Sequence, residues 1–241
     1  MNRVPIYDIP VSTGGYDTYV NDCLKDKGYS CFLNVHMVCE HHLNPDFQTV
    51  LSEASYVVPD GMPVVFSLRL FHGAVQERIA GNDVMFSLVN RAEKESLKIF
   101  LIGSTEDVLK TISSSLLTRN IIHKTYSPPF APINEFDFEH QATIINEFRP
   151  DMVLVGLGCP KQEIWMNRMS NRINSPMFGV GGAFLLFAGI DKRAPDWMRK
   201  LSLEWFYRFM AEPRRLFRRY LTTNSYFLWL MMKYSFMKPK K

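Results

Sequence analysis

The chain of 241 residues is 46% hydrophobic and 22% charged, which suffices to bury one full core and excludes a disordered or collagen-like protein. Its net charge of +4 is unevenly distributed: residues 192–241 contain 13 Lys and Arg against 3 Asp and Glu, a net +10, whereas residues 1–191 contain 15 against 21, a net −6. A basic segment attached to an acidic body indicates an anionic partner for that segment.

Short apolar runs alternate along the chain with helical patterns. In chain order the candidate strands are 31–35, 56–58, 99–102, 152–157 and 177–180, each rich in Val, Ile, Leu or Phe. Amphipathic helical patterns lie between them, at 82–92, 104–117 and 142–147. The alternation predicts a Rossmann-like α/β fold, in which helices cover both faces of a parallel sheet.

Signals of export and of membrane spanning do not occur in the sequence. The first residues form no apolar signal region, and the longest apolar run near the end, 226–232, is far shorter than the ~18–20 residues of a membrane-spanning helix. The four cysteines form no CxxC pair, which is typical of reduced, buried thiols. We therefore expect a cytoplasmic protein.

Ligands of parallel α/β sheets bind beyond the carboxyl ends of the strands. Two glycine loops at such ends, GLGCPK (156–161) and GVGGAF (179–184), lack the third glycine of GxGxxG and occur late in the chain, which argues against a dinucleotide site. Backbone N–H groups near such glycines can still bind a phosphate. The candidates for this role are Gly103, Gly158, Gly181 and Gly182. The alternative is that these glycines only permit tight turns.

The acid in VVPDGMPVV (57–65) follows an apolar strand and precedes a Gly-Met-Pro turn. A partly desolvated Asp60 at the sheet edge can act as a general base toward a substrate hydroxyl. An isolated aspartate in this context is more often a turn or helix-cap residue.

Seven segments occur in the order and spacing of one protein family. They are NVHMV (34–38), VVPDGMPVV (57–65), ERIAGND (77–83), FLIGS (100–104), VGLGCPKQEIW (155–165), GVGGAFLLFAGIDKRAPDWM (179–198) and LEWFYRFMAEPRRLFRRYL (203–221). The chain resembles the WecG/TagA/CpsF glycosyltransferases, family 26 of the sequence classification, from about residue 5 to residue 221.

This resemblance implies an inverting transfer of a sugar from a UDP-sugar, such as UDP-N-acetylmannosamine or UDP-glucose, to a polyprenyl-diphosphate-linked sugar. The product would enter a teichoic acid or another cell-surface polysaccharide. The implied partners are the donor, the lipid-linked acceptor and the inner face of the cell membrane, where the protein would be peripheral. Self-association stays possible, and no nucleic acid is implied.

The family's site residues are carried over by motif. The resemblance places the catalytic base at Asp60 and substrate-binding side chains at Asn34, Arg78 and Gln162. Family members fold tail arginines over the active site, and here these match Arg208, Arg215 and Arg218. Alternatives stay open for two of these side chains: Gln162 could instead cap the helix that starts near Lys161, and Arg78 could form ion pairs with Glu77 or Asp83.

Inverting transfer needs one base, and the departing diphosphate needs either a divalent cation or cationic side chains and N–H groups. The chain has no DxD motif, and the nearest approach, at 137–139, is expected to start a helix. His36, His41 and His42 lack metal-ligand partners at recognisable spacing. The sequence therefore favours a reaction without a metal or another cofactor, in which arginines bind the phosphates.

The basic tail suggests a division of the chain into a catalytic domain, 1–195, and an aromatic-rich helical appendage, 196–241. Pro213 suits the first turn of a new helix, and interleaved arginines and apolar residues after it suit an anionic bilayer. We expect 227–232 to be exposed or in membrane contact. Two alternatives remain: a helix docked on its own core, and a non-catalytic protein that binds nucleic acid or lipid through the tail.

Overall fold

A parallel sheet of six strands lies at the centre of the computed structural model, which describes residues 1–195, 197–198, 204–211 and 213–237. The strands of the structure are β1 Asn2–Ile6, β2 Ile9–Thr13, β3 Tyr29–Leu33, β4 Tyr56–Pro59, β5 Ile99–Gly103, β6 His123–Tyr126, β7 Met152–Gly156 and β8 Met177–Phe178. The helices are α1 Tyr16–Asp22, α2 Val35–Leu43, α3 Pro45–Ser52, α4 Met62–His72, α5 Gly81–Glu95, α6 Glu106–Thr118, α7 Phe138–Phe148, α8 Lys161–Met169, α9 Ala183–Phe187, α10 Glu204–Ala211 and α11 Pro213–Met237.

The strand order of the sheet is β4-β3-β8-β7-β5-β6. The chain forms β3 and β4 at one end of the sheet, crosses to form β5 and β6 at the other end, and then inserts β7 and β8 between them. All of these pairings are parallel, so the carboxyl ends of the six strands lie along one edge. The predicted α/β class is confirmed, and all five predicted strands are present.

Two hydrophobic clusters cover the two faces of the sheet. Successive residues of each central strand alternate between them: Cys31 and Leu33 belong to one cluster, and Phe32 belongs to the other. The first cluster joins the sheet to the β1–β2 hairpin, α2, α3, α4, α7, α8 and α11, and the second joins it to α1, α5, α6 and α9. Burial on both faces explains why these strands are continuously apolar.

The N-terminal hairpin and the edge strand β6 were not predicted from the sequence. β1 and β2 pair antiparallel with Pro5 opposite Pro10, and the prolines interrupt the pattern that marks a strand. The turn at Tyr7 and Asp8 has φ values of 52° and 60°, the left-handed conformation of a two-residue hairpin. β6 was missed because its sequence, HKTY, is polar and half-exposed at the end of the sheet.

The C-terminal helix α11 begins at Pro213, as the sequence predicted. The expectation that 227–232 is exposed was wrong in part, because Phe227 and Leu230 are 4% and 5% exposed and belong to the first core cluster. Between them Leu228 and Trp229 are 52% and 47% exposed. The helix therefore packs one apolar face on the body, while a second apolar face is exposed.

Candidate functional site

The carboxyl ends of β3 and β4 bring Asn34 and Asp60 together. The backbone N–H groups of Asp60 and Gly61 both donate to the carbonyl of Leu33, at 2.9 and 3.3 Å. Gly61 lies against Asn34: a Cβ atom there would be 3.5 Å from the Cα of Asn34. Asp60 and Asn34 are both partly exposed, so each can meet a ligand at this edge of the sheet.

Helix starts on both sides of this junction orient the two residues. Asn34 is the N-cap of α2, and its Oδ1 accepts a hydrogen bond from the N–H of Met37 at 3.2 Å. The amide NH2 group of Asn34 therefore remains as the donor for a ligand. Asp60 comes immediately before Gly61, the N-cap of α4, where the helix dipole favours a negative charge.

The segment before α5 brings Arg78 to the same edge. The N–H of Ile79 donates to the carbonyl of Pro59 at 2.8 Å, which fixes this segment beside the end of β4. Arg78 Nη2 lies 3.8 Å from Asp83 Oδ2, and the guanidinium of Arg193 also pairs with Asp83. Asp83 is thus a structural partner of two arginines, as the sequence suggested for this residue. An ion pair does not exclude Arg78 from binding a ligand.

Gln162 joins the two glycine loops. Its Oε1 accepts from the N–H of Gly158 at 3.3 Å, and its Nε2 donates to the carbonyl of Gly179 at 2.8 Å. Gln162 is 6% exposed, so its amide is mostly enclosed by these partners. The structure therefore shows a bridging role for Gln162 between the loops that follow β7 and β8, and substrate binding by Gln162 stays a prediction.

The four candidate glycines lie along the same edge, where the N–H groups of Gly158 and Gly181 have hydrogen-bond partners. Gly158 donates to Gln162, and Gly181 donates to the carbonyl of Val155 at 3.1 Å. At Gly103 a Cβ atom would lie 2.6 Å from the carbonyl carbon of Gly156, so glycine is required there for the close approach of β5 and β7. Nothing lies within 4 Å of a Cβ atom built on Gly182. Phosphate binding by these four glycines stays a prediction.

Glu163 is a buried acid that the sequence analysis overlooked. It is 0% exposed, and burial raises its pKa to about 7. Its Oε1 accepts from Gln162 Nε2 at 2.6 Å, while Oε2 has no hydrogen-bond partner among the described residues. An acid on the buried face of a helix, directly after Gln162 in the PKQE motif, was the signal that could have identified it.

The three predicted tail arginines lie in the two C-terminal helices. Arg208 belongs to α10, and Arg215 and Arg218 belong to α11. Their side chains fall outside the described part of the structure. Phe209 of α10 stacks on Tyr220 of α11, with ring centroids 6.1 Å apart, which joins the two helices.

The position of α11 on the body is fixed by α2 and by the turn between β1 and β2. The thiol of Cys39 donates to the carbonyl of Thr223 at 3.3 Å, and the rings of Tyr7 and Phe227 meet edge to face at 5.5 Å. Within the described ranges, no helix is long and apolar enough to cross a bilayer. In the same ranges, no three His, Cys, Asp or Glu side chains are grouped to hold a metal ion.

Comparison with known proteins identifies the relatives of this chain. The family model described as "Glycosyl transferase WecG/TagA/CpsF family" matches residues 4–241. An N-acetylglucosaminyldiphosphoundecaprenol N-acetyl-beta-D-mannosaminyltransferase of Bacillus subtilis (strain 168) is 37% identical over 204 residues, which cover 81% of this chain and 78% of the relative. A protein of the same name from Staphylococcus aureus (strain COL) is 35% identical over 175 residues, 70% of this chain and 66% of the relative.

Proposed function

Because the chain belongs to the WecG/TagA/CpsF family of glycosyl transferases, we propose that it moves N-acetylmannosamine from its UDP-sugar to N-acetylglucosaminyl diphosphoundecaprenol. The observation that carries this proposal is the 37% identity over 81% of the chain to a relative named for that transfer. The product would serve the synthesis of a teichoic acid or a related surface polymer. UDP-glucose is the alternative donor.

Asp60 is the proposed general base. Inversion requires the acceptor hydroxyl to attack the anomeric carbon from the side opposite the UDP leaving group. As the new C–O bond forms and the bond to the diphosphate breaks, the Asp60 carboxylate takes the hydroxyl proton. The partly exposed position of Asp60, before the first turn of α4 and next to Gly61, which lies against Asn34, supports this role.

The other proposed site residues bind the two substrates. Asn34 would donate its NH2 group to a sugar oxygen, while Gln162 would keep the β7 and β8 loops in position and meet the donor through them. Arg78 and the tail residues Arg208, Arg215 and Arg218 would neutralise the departing diphosphate. Guanidinium groups suit this task because their planar donors match phosphate oxygens.

Three further proposals concern the whole chain. Residues 1–195 would form the catalytic domain, and 196–241 would cover the site and contact the inner face of the cytoplasmic membrane. Transfer would proceed without a metal ion, because arginines would supply the positive charge. Self-association through the exposed face of α11 is compatible with this scheme, which includes no nucleic-acid partner.

UDP release by the purified protein tests the proposal. UDP-N-acetylmannosamine, UDP-glucose and UDP-N-acetylglucosamine would each be supplied in EDTA, with and without a detergent-solubilised N-acetylglucosaminyl diphosphate lipid. We expect acceptor-dependent release from UDP-N-acetylmannosamine alone. Release from another donor would correct the sugar, and release that requires added Mg²⁺ would refute transfer without a metal. No release from a folded protein under any condition would contradict the proposed reaction.

A further inference from the structure

Helix α4 carries an apolar stripe on its outer face. Met62, Phe66 and Leu70 are 40%, 55% and 54% exposed. Their spacing of four residues aligns them along one side of the helix. Val64 and Leu68, which are both 0% exposed, attach the opposite side to the core. The stripe is therefore not needed to hold α4 in place, and side chains of this size are costly to leave in water.

The stripe starts at the proposed catalytic base. Met62 is two residues after Asp60 and is the first residue of α4. The stripe extends along the helix away from the turn that holds Asp60. At a rise of ~1.5 Å per residue, Met62 and Leu70 are about 12 Å apart along the helix axis. An extended ligand with its reacting end at Asp60 can therefore lie along this face.

The far end of the stripe lies close to α11. At the far end, the ring of Phe71 meets that of Tyr234 in α11, with centroids 5.0 Å apart. The stripe thus runs from the site toward the helix that bears the exposed Leu228.

We propose that Phe66 and Leu70 bind the first prenyl units of the lipid-linked acceptor. This inference rests on the proposed function, since it requires a polyprenyl-diphosphate-linked sugar. In such a molecule the sugar and the diphosphate separate the reacting hydroxyl from the prenyl chain. The prenyl chain therefore starts part of the way along α4, beyond Met62.

Phe66→Ser and Leu70→Ser test the inference, because both side chains are exposed and the variants should fold. Leu117→Ser is the matched control: Leu117 is 64% exposed on α6, which packs on the opposite face of the sheet. Each protein would be assayed with N-acetylglucosaminyl diphosphate carried on a long polyprenyl chain and on a short alkyl chain. Direct binding of a fluorescent long-chain acceptor would be measured in parallel, so that the result does not depend on turnover.

We expect each stripe variant to raise KM and Kd for the long-chain acceptor about ten-fold, as the loss of one apolar contact of ~1.4 kcal/mol would do. kcat, the short-chain KM and the Leu117→Ser control should not change. Equal losses with both acceptors, or no loss with either, would overturn the inference. So would a loss of binding to vesicles that contain no acceptor, because the stripe would then contact the bilayer in general. Failure of the parent protein to transfer sugar, with the stripe still controlling acceptor binding, would refute the proposed reaction and leave this inference standing.

Discussion

Asp60 owes its position to its backbone. The N–H bonds of Asp60 and Gly61 to Leu33 fix the turn between β4 and α4, so a change of the side chain should leave that turn intact. The effect of an Asp60 substitution on catalysis can therefore be measured separately from its effect on folding.

We predict that Asp60→Asn lowers kcat by about 10²- to 10⁴-fold, because the near-isosteric amide cannot accept the acceptor proton. Donor affinity and the unfolding midpoint should stay close to those of the parent. Steady-state kinetics, donor titration and thermal unfolding would measure these quantities. Asp107→Asn is the control, since its side chain is 94% exposed on α6. Full turnover by Asp60→Asn would remove Asp60 from the role of base.

Glu163 makes stability depend on pH. Its pKa is about 7 in the folded protein, compared with 4.5 for an exposed glutamate carboxyl. A raised carboxyl pKa means that the folded state holds the proton more tightly, so protonation of Glu163 stabilises the folded protein. This contribution to the free energy of unfolding is complete below pH ~4.5 and is lost as the pH rises through ~7. The buried His41, whose pKa burial lowers to about 4, acts in the opposite direction as the pH falls below ~6.5.

We predict that Glu163→Gln removes the part of the pH dependence of the unfolding free energy that is due to Glu163. The part that is due to His41 should stay unchanged. Relative to the variant, the parent should lose about 3 kcal/mol of unfolding free energy between pH ~4.5 and ~8. The glutamine can still accept the hydrogen bond from Gln162. Urea unfolding of both proteins at several pH values gives this difference directly. Parallel curves for parent and variant would show that Glu163 does not titrate in this range.

Among the secondary-structure elements, α11 is a packed part of the body as well as a carrier of exposed residues. Phe227 and Leu230 belong to the first core cluster, and the ring of Phe227 packs edge to face against that of Tyr7. The bond from Cys39 to Thr223 ties the same helix to α2, whose N-cap is Asn34. A shift of α11 would therefore act on the helix that orients a proposed site residue.

We predict that Phe227→Ala destabilises the protein by about 3 kcal/mol or more, because it leaves a cavity in the core. Leu228→Ala should change stability by less than ~0.5 kcal/mol, since Leu228 is 52% exposed on the same turn. Denaturant unfolding of the two variants would be compared. Similar values for both would mean that α11 does not pack on the body in solution.

For the protein as a whole, the charge distribution and the exposed face of α11 suggest binding to an anionic membrane. The net +10 of residues 192–241 contrasts with the net −6 of the remainder. Phe217, Leu221 and Met232 add exposed apolar area to the same helix. A bilayer with anionic headgroups fits both features.

We predict that the full chain floats with anionic vesicles, that binding weakens as salt is raised, and that neutral vesicles bind less of it. Replacing Arg214 and Lys233 by glutamine should weaken binding, whereas Lys25→Gln on the acidic body should not. Vesicle flotation measures all three proteins. Tight binding to duplex DNA without vesicle binding would instead favour the nucleic-acid alternative.

The fold class, the five apolar strands and the family could all be predicted from the amino-acid sequence, because buried parallel strands are continuously apolar and the family motifs are long. The start of α11 was equally predictable, since Pro213 suits a first helical turn. Asp60 and Asn34 could be predicted to lie at one edge of the sheet, because the carboxyl ends of parallel strands share an edge. That they are neighbours depends on the pairing of β3 with β4.

The pairing of polar groups and the covering of apolar residues became visible in the folded protein alone. The bridge made by Gln162, the burial of Glu163 and the pairing of Arg193 with Asp83 depend on segments from different parts of the chain. The burial of Phe227 follows the same rule, whereas the hairpin is a local structure whose Pro5 and Pro10 interrupt the pattern that marks a strand. The hydrophobic periodicity of a segment indicates which of its side chains are buried and which are exposed. The partner that covers a given side chain is determined by long-range packing.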